Sequence, residues 1–130
     1  MREDENSQVW LRYALSNLER ARLGKETENI LYSDICFDCQ QAAEKSLKAI
    51  LVFLKKDFPK THSIQKLLSL LSDDYQIDDI IRRATLLTDY AVDTRYPIEI
   101  SEQPDENDYK EALALAESVY SWAQEKIGLL

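Results

Sequence analysis

Apolar positions recur every three or four residues along most of the chain, the period of a helix with one buried face. The longest unbroken run covers residues 31–56. Ile35, Ala42, Ala43, Ser46, Ala49, Ile50 and Phe53 form one stripe, and Cys39, Leu47, Leu51 and Leu54 widen it. Little of such a helix can face water, which predicts a central position. Yet Gln40, Gln41, Glu44, Lys45 and Lys48 interrupt the stripe on adjoining turns. The pattern leaves two readings: a bundle helix with one wet face, or the wall of a site.

The same period marks the other elements. A first helix is expected from a cap at Asn6 or Ser7, through Trp10, Tyr13, Ala14, Asn17, Leu18 and Ala21, to a stop at Gly24. Ser33 or Asp34 should open the central helix, which runs to about Lys56. Pro59 breaks the pattern, and Thr61 can cap a short third helix containing Ser63, Ile64, Leu67, Leu68 and Leu71. A fourth helix is expected from Asp78, with Ile77, Ile80, Ile81, Ala84, Leu87 and Ala91 buried. It should end at Thr94 or Arg95, because Pro97 restrains Tyr96 from the helical region. Residues 96–104 have no helical period and read as a loop packed on the bundle. Asp105, with Asp108 three residues later, should cap a last helix along Tyr109, Ala112, Leu113, Ala116, Val119, Tyr120, Ala123 and Ile127. The expected fold is therefore all-α: a four- to five-helix up-and-down antiparallel bundle forming one domain over residues 1–130.

Composition agrees with that picture. Two Gly and three Pro in 130 residues leave few breakers, which favours long helices over many short strands. No apolar run reaches the roughly 18–20 residues a membrane span requires, so no membrane association is expected. Residues 1–8 are charged and lack the apolar core of a secretory signal. With only two cysteines, a reducing cytoplasm is the expected location. The net charge of −8 disfavours tight non-specific nucleic-acid binding. The charge is segregated, however: residues 45–66 hold Lys45, Lys48, Lys55, Lys56, Lys60 and Lys66 against a single acid, Asp57.

Few residues carry candidate chemistry. Cys36 and Cys39 share a helix face, but a closed zinc site needs about four ligands. No third cysteine exists and the single histidine lies on another element, so both read as small core residues and no metal site is expected. No Gly-rich phosphate loop is present, and no cofactor is implied. His62, the only histidine, sits at the start of the third helix, where free backbone N–H groups favour an anion. Arg95 ends the fourth helix, and Tyr96 and Pro97 stiffen the turn that would hold its guanidinium. Gln41, Glu44, Lys45 and Lys48 are spaced by three and four and make one polar strip on the central helix. That strip is either a ligand surface or an internal network, with Glu44 available to pair with Arg95.

Taken together, the run from Cys36 through Gln40, Gln41, Ala42, Ala43, Glu44, Lys45, Leu47, Lys48 and Ala49 resembles the HEPN domain family (higher eukaryotes and prokaryotes nucleotide-binding). Thr61-His62-Ser63-Ile64 and Thr94-Arg95-Tyr96-Pro97 follow in the family's order. The resemblance spans about residues 7–127 and is to the stand-alone prokaryotic branch. It implies a helical bundle, often a homodimer, encoded beside a minimal nucleotidyltransferase in a toxin–antitoxin-like pair. It implies nucleotide binding by Gln41, Glu44, Lys45, Lys48, His62, Arg95 and Tyr96. Other members are metal-independent endoribonucleases that use an Arg followed four to six residues later by a His. Here residues 96–102 contain no histidine, so a ribonuclease would have to bring His62 and Arg95 together by folding. Three readings stay open: a nucleotide-binding or regulatory partner, an endoribonuclease toxin, and a purely structural interaction module.

Overall fold

A computed structural model describes residues 5–91 and 103–128. Its helices are α1 (Ser7–Leu23), α2 (Tyr32–Phe53), α3 (Ile64–Leu71), α4 (Asp79–Arg83) and α5 (Glu106–Ile127), with a 3-10 segment (Ala84–Tyr90) after α4. No strand occurs among the described residues. The fold is an all-α up-and-down bundle, as the pattern predicts.

Helix α2 is the axis of the molecule. It packs on α1 and α5 and also touches α3 and the 3-10 segment, and 14 of its 22 residues are buried. Its pairing with α1 is antiparallel: Trp10 lies near Lys48, whereas Asn17 meets Asp38 and Lys45. The start of α5 docks near the end of α1, where the Tyr109 hydroxyl donates to the Ala21 carbonyl (2.7 Å). Cys36 and Cys39 are fully buried in the core between these helices.

Local chemistry sets the helix ends. Asn6 Oδ1 accepts from the Gln8 amide (2.9 Å) and opens α1. Asp105 and Asp108 form the reciprocal box that opens α5, at 2.8 and 2.9 Å. α2 starts earlier than expected, at Tyr32, with no side-chain cap. It ends at Phe53, three residues before Lys56. The reason is the turn: Lys55 takes a left-handed φ of 59°. The Lys55 amide then donates to the Val52 carbonyl (3.0 Å) and the Lys56 amide to the Leu51 carbonyl (2.9 Å), the pairing usually seen around a helix-ending glycine. The cap of α3 is Ser63, whose Oγ accepts from the Lys66 amide (3.1 Å). Thr61 Oγ1 instead accepts from the Ser63 amide (3.0 Å), so the two hydroxyls build the turn in succession.

The fourth helix departs most from expectation. It opens at Asp78, whose side chain accepts from the Ile81 amide, but α-helical winding lasts only to Arg83 before the tighter 3-10 form takes over. In 3-10 winding, residues three apart eclipse, so Ala84 and Leu87 still face the core. The segment is fastened from outside: Thr88 Oγ1 accepts from the Ile64 amide (3.1 Å) at the start of α3. The expected end at Thr94 or Arg95 lies outside the described residues. Three stripe residues are exposed: Tyr13, Phe53 and Ile80.

Burial also sets the thiol chemistry. Desolvation pushes Cys36 up to about 12 and pushes Cys39 higher still. Neither can supply thiolate near neutrality. A thiol reagent such as iodoacetamide should therefore leave both unmodified in the native protein at pH 7.5 and label both once urea unfolds it. Rapid native labelling would contradict the packed position.

Candidate functional site

The centre of the site is Glu44, midway along α2 and buried. Its Oε1 accepts from Gln40 Nε2 (2.9 Å) and lies 2.8 Å from His62 Nδ1. Its Oε2 accepts from Lys48 Nζ (2.9 Å). Burial pushes the Glu44 carboxyl upward, but the bonds from Gln40, His62 and Lys48 together outweigh it and hold the group below the usual carboxylate range. Glu44 is thus an anion at neutral pH.

That anion sets the state of His62. A carboxylate oxygen only accepts, so Nδ1 must carry the proton that it shares with Glu44. In the neutral ring the lone pair then sits on Nε2. The His62 side chain is 68% exposed while that of Glu44 is only 5% exposed. A buried carboxylate therefore orients a surface imidazole and leaves its outer nitrogen to act as acceptor, base or, when protonated, anion ligand.

Gln40 locks the arrangement and is completely buried. Its amide donates both to Glu44 and to the His62 backbone carbonyl (3.3 Å), and its oxygen accepts from Gln41 Nε2 (2.8 Å). The turn carrying His62 is thus tied to α2 through backbone and side chain. Lys48 completes the cluster. Its ammonium stands 5.9 Å from the Trp10 ring centre and 5.7 Å from that of Phe58, and those rings meet edge to face at 6.1 Å. Aromatic faces attract such a cation, so Lys48 is satisfied internally.

The remaining predicted residues separate. The expected single strip on α2 is two lines. Gln40, Glu44 and Lys48, four residues apart, face the His62 turn. Lys45 turns toward α1, where its Nζ donates to Asn17 Oδ1 (2.8 Å). Asn17 Nδ2 donates to Asp38 (3.0 Å), and Arg20 Nε stands 3.5 Å from the other Asp38 oxygen. Burial lowers the pKa of Lys45 against the opposing pull of Glu44 and Asp38. Gln41 reaches the cluster only through Gln40. Arg95 and Tyr96 lie outside the described residues. Sequence reasoning left Gln40 out of the site although it stands four residues before Glu44, the spacing at which helical side chains meet. Asn17 read as part of a core stripe; its partners come from α2, which spacing along α1 cannot indicate.

Among the described residues no group of three or more His, Cys, Asp or Glu side chains is arranged to hold a metal ion, and no helix is long and apolar enough to cross a membrane.

The HEPN domain family profile matches residues 7–127, nearly the whole chain. The chain belongs to the HEPN domain family. Two solved structures resemble it in fold. The crystal structure of ST0689, an archaeal HEPN homologue, is 25% identical and superposes with a TM-score of 0.76, covering 98% of this chain and 99% of that one. The crystal structure of TT1696 from Thermus thermophilus is 27% identical, with a TM-score of 0.75 over 92% of this chain and 97% of the other. No curated protein matches. The HEPN match includes the α2 run and the turn bearing His62, so the Glu44–His62 cluster lies within the family's own region of the chain.

Proposed function

We propose that this HEPN domain protein is a nucleotide-binding, regulatory partner of a minimal nucleotidyltransferase, working as a homodimer in a toxin–antitoxin-like pair. One observation supports the reading above the others: the exposed imidazole of His62 is oriented by a buried, ionised carboxylate. A side chain fixed in that way on a surface turn is organised for an external partner, and a phosphate is the anion best suited to it. His62 is then the primary phosphate contact. Glu44 and Gln40 hold it in place, Lys48 anchors Glu44, and Gln41 joins the cluster through Gln40. Lys45 is engaged by Asn17 and contributes field rather than contact. Arg95 and Tyr96 are proposed as the second phosphate-gripping element on the strength of the family resemblance alone.

Isothermal titration with AMP and ATP tests this reading. Saturable binding is expected, weakened about tenfold or more in His62→Ala through loss of a charge-assisted bond. Absence of binding at millimolar nucleotide, with tight binding to a nucleotidyltransferase partner, would favour a purely structural module instead.

A second reading, metal-independent endoribonuclease, draws support from the same bare Nε2, which could take or give the proton of a ribose 2′-hydroxyl. Arg95 would stabilise the charge developing on the phosphate. RNA cleavage that persists unchanged in His62→Ala and Arg95→Ala would eliminate it.

A further inference from the structure

A groove between α3 and α4 shares no residue with the Glu44–His62–Lys48 cluster. It encloses about 450 Å³ and is lined by Gln65, Leu68, Ser69, Ser72, Arg82 and Thr85. That volume falls in the range of small-molecule sites. No carboxylate lines it. Arg82 Nε donates to the Ile77 carbonyl (3.3 Å), which fixes one edge of the guanidinium. Its two terminal nitrogens have no hydrogen-bonding or ionic partner among the described residues, and neither do the Thr85 hydroxyl or the Gln65 amide. The nearby Asp78 carboxylate is engaged by the Ile81 amide (2.9 Å) rather than by Arg82. The Ser69 and Ser72 hydroxyls donate to the carbonyls of Lys66 (2.6 Å) and Ser69 (2.8 Å), leaving oxygen lone pairs free. Leu68, almost wholly buried, provides an apolar floor.

A half-anchored guanidinium with two further donors and no acid wants an oxygen-bearing anion. Fixing Nε also presents the terminal nitrogens as a rigid fork, the geometry that takes two oxygens at once. We propose that this groove binds a small oxyanion, a carboxylate or phosphate group on a compact molecule. Arg82 grips the anion end-on, Thr85 and Gln65 donate to it, and the Ser69 and Ser72 oxygens accept from hydroxyls of the same ligand. The site is separate from the nucleotide contact at His62 and does not depend on that reading.

Titration of isotope-labelled protein with inorganic phosphate and, separately, with acetate tests the proposal by NMR. Saturable shifts are expected at the Gln65 and Thr85 amides and at Arg82 Nε. Running the titrations in parallel on His62→Ala keeps anion held at the other cluster from being counted here. Response to phosphate alone assigns a phosphate ligand; response to acetate as well assigns a carboxylate. Arg82→Gln should weaken binding by about tenfold or more, and Arg82→Lys should also weaken it, because an ammonium keeps the charge but not the fork. Thr85→Val should weaken it less. Both Arg82 variants change an exposed side chain, and their amide spectra will report whether the bundle is intact. Shifts that fail to saturate below about 50 mM of either anion, or that survive unchanged in Arg82→Gln, overturn the proposal.

Discussion

Replacing Glu44 with alanine is expected to lower the unfolding free energy by about 3 kcal/mol or more, the cost of leaving a buried charge without its partner. Three donors lose a bond at once: His62 Nδ1 and Lys48 Nζ lose their carboxylate acceptor, and Gln40 Nε2 keeps only the His62 carbonyl. Lys48 matters most, since its side chain is only 11% exposed. The lost apolar contact of the Glu44 stem accounts for the smaller share, about 0.8 kcal/mol per buried methylene. The rings of Trp10 and Phe58 soften the penalty on the ammonium but do not replace a carboxylate at 2.9 Å. Adding Lys48→Met to Glu44→Ala should restore part of the loss, because the orphaned charge is then gone. Urea unfolding of both single variants and the double variant reads the coupling, expected at about 1–2 kcal/mol. A loss under about 1 kcal/mol for Glu44→Ala would mean that solvent reaches the cluster.

The same residue sets an acid limb. Its pKa is depressed in the folded protein, so its contribution is fully present above the unfolded carboxylate value, about 4.3. It disappears as pH falls through the folded value. Wild type should therefore lose more stability between neutral pH and the acid end than Glu44→Gln, which has no such group to protonate. Parallel urea midpoints would mean that Glu44 contributes nothing to the acid limb.

Legibility from sequence follows the range of each interaction. The caps at Asn6, Asp78 and Asp105 and the stop at Gly24 are readable because each depends on residues within a few positions. The end of α2 is not, because Lys55 adopts a conformation that glycine usually supplies. The 3-10 winding after Arg83 is hidden because Ala84 and Leu87 satisfy both helical periods. A long-range bond from the Ile64 amide to Thr88 fastens the tighter form. At the site, Glu44 and Lys48 are visible as a helical pair. The division of the strip is not, because it depends on which neighbour each line meets. Lys45 faces α1 and Glu44 faces the His62 turn, and only packing decides that.

Gln40 gives the cluster its sharpest test, because one atom decides the sign. Its Nε2 donates to Glu44 Oε1 at 2.9 Å, and its position between that oxygen and the His62 carbonyl leaves no room for an acceptor there. Gln40→Glu preserves size and shape but turns the donor into an oxygen. Two carboxylates then face each other in a buried site with Lys48 as the single ammonium. Like charges that close cannot both ionise cheaply, so one carboxyl of the pair should hold its proton to a pKa well above the usual range. The folded protein then binds more protons than the unfolded chain over the interval between those values. By linkage its stability falls as pH rises across that interval, opposite to the wild-type trend from Glu44. The loss at pH 7–8 should reach about 3 kcal/mol and shrink toward pH 4. Gln40→Leu supplies the control. It removes the donor without adding charge, leaves the His62 carbonyl unpaired, and should cost about 2 kcal/mol. Its acid limb should be weaker than wild type, because Glu44 loses the Gln40 bond that helps hold its carboxyl down, but it adds no second carboxylate. Urea midpoints for both variants from pH 4 to 8 decide the matter. Equal slopes would mean that the introduced carboxylate escapes to water, and the closed Gln40–Glu44–His62 geometry would have to be abandoned.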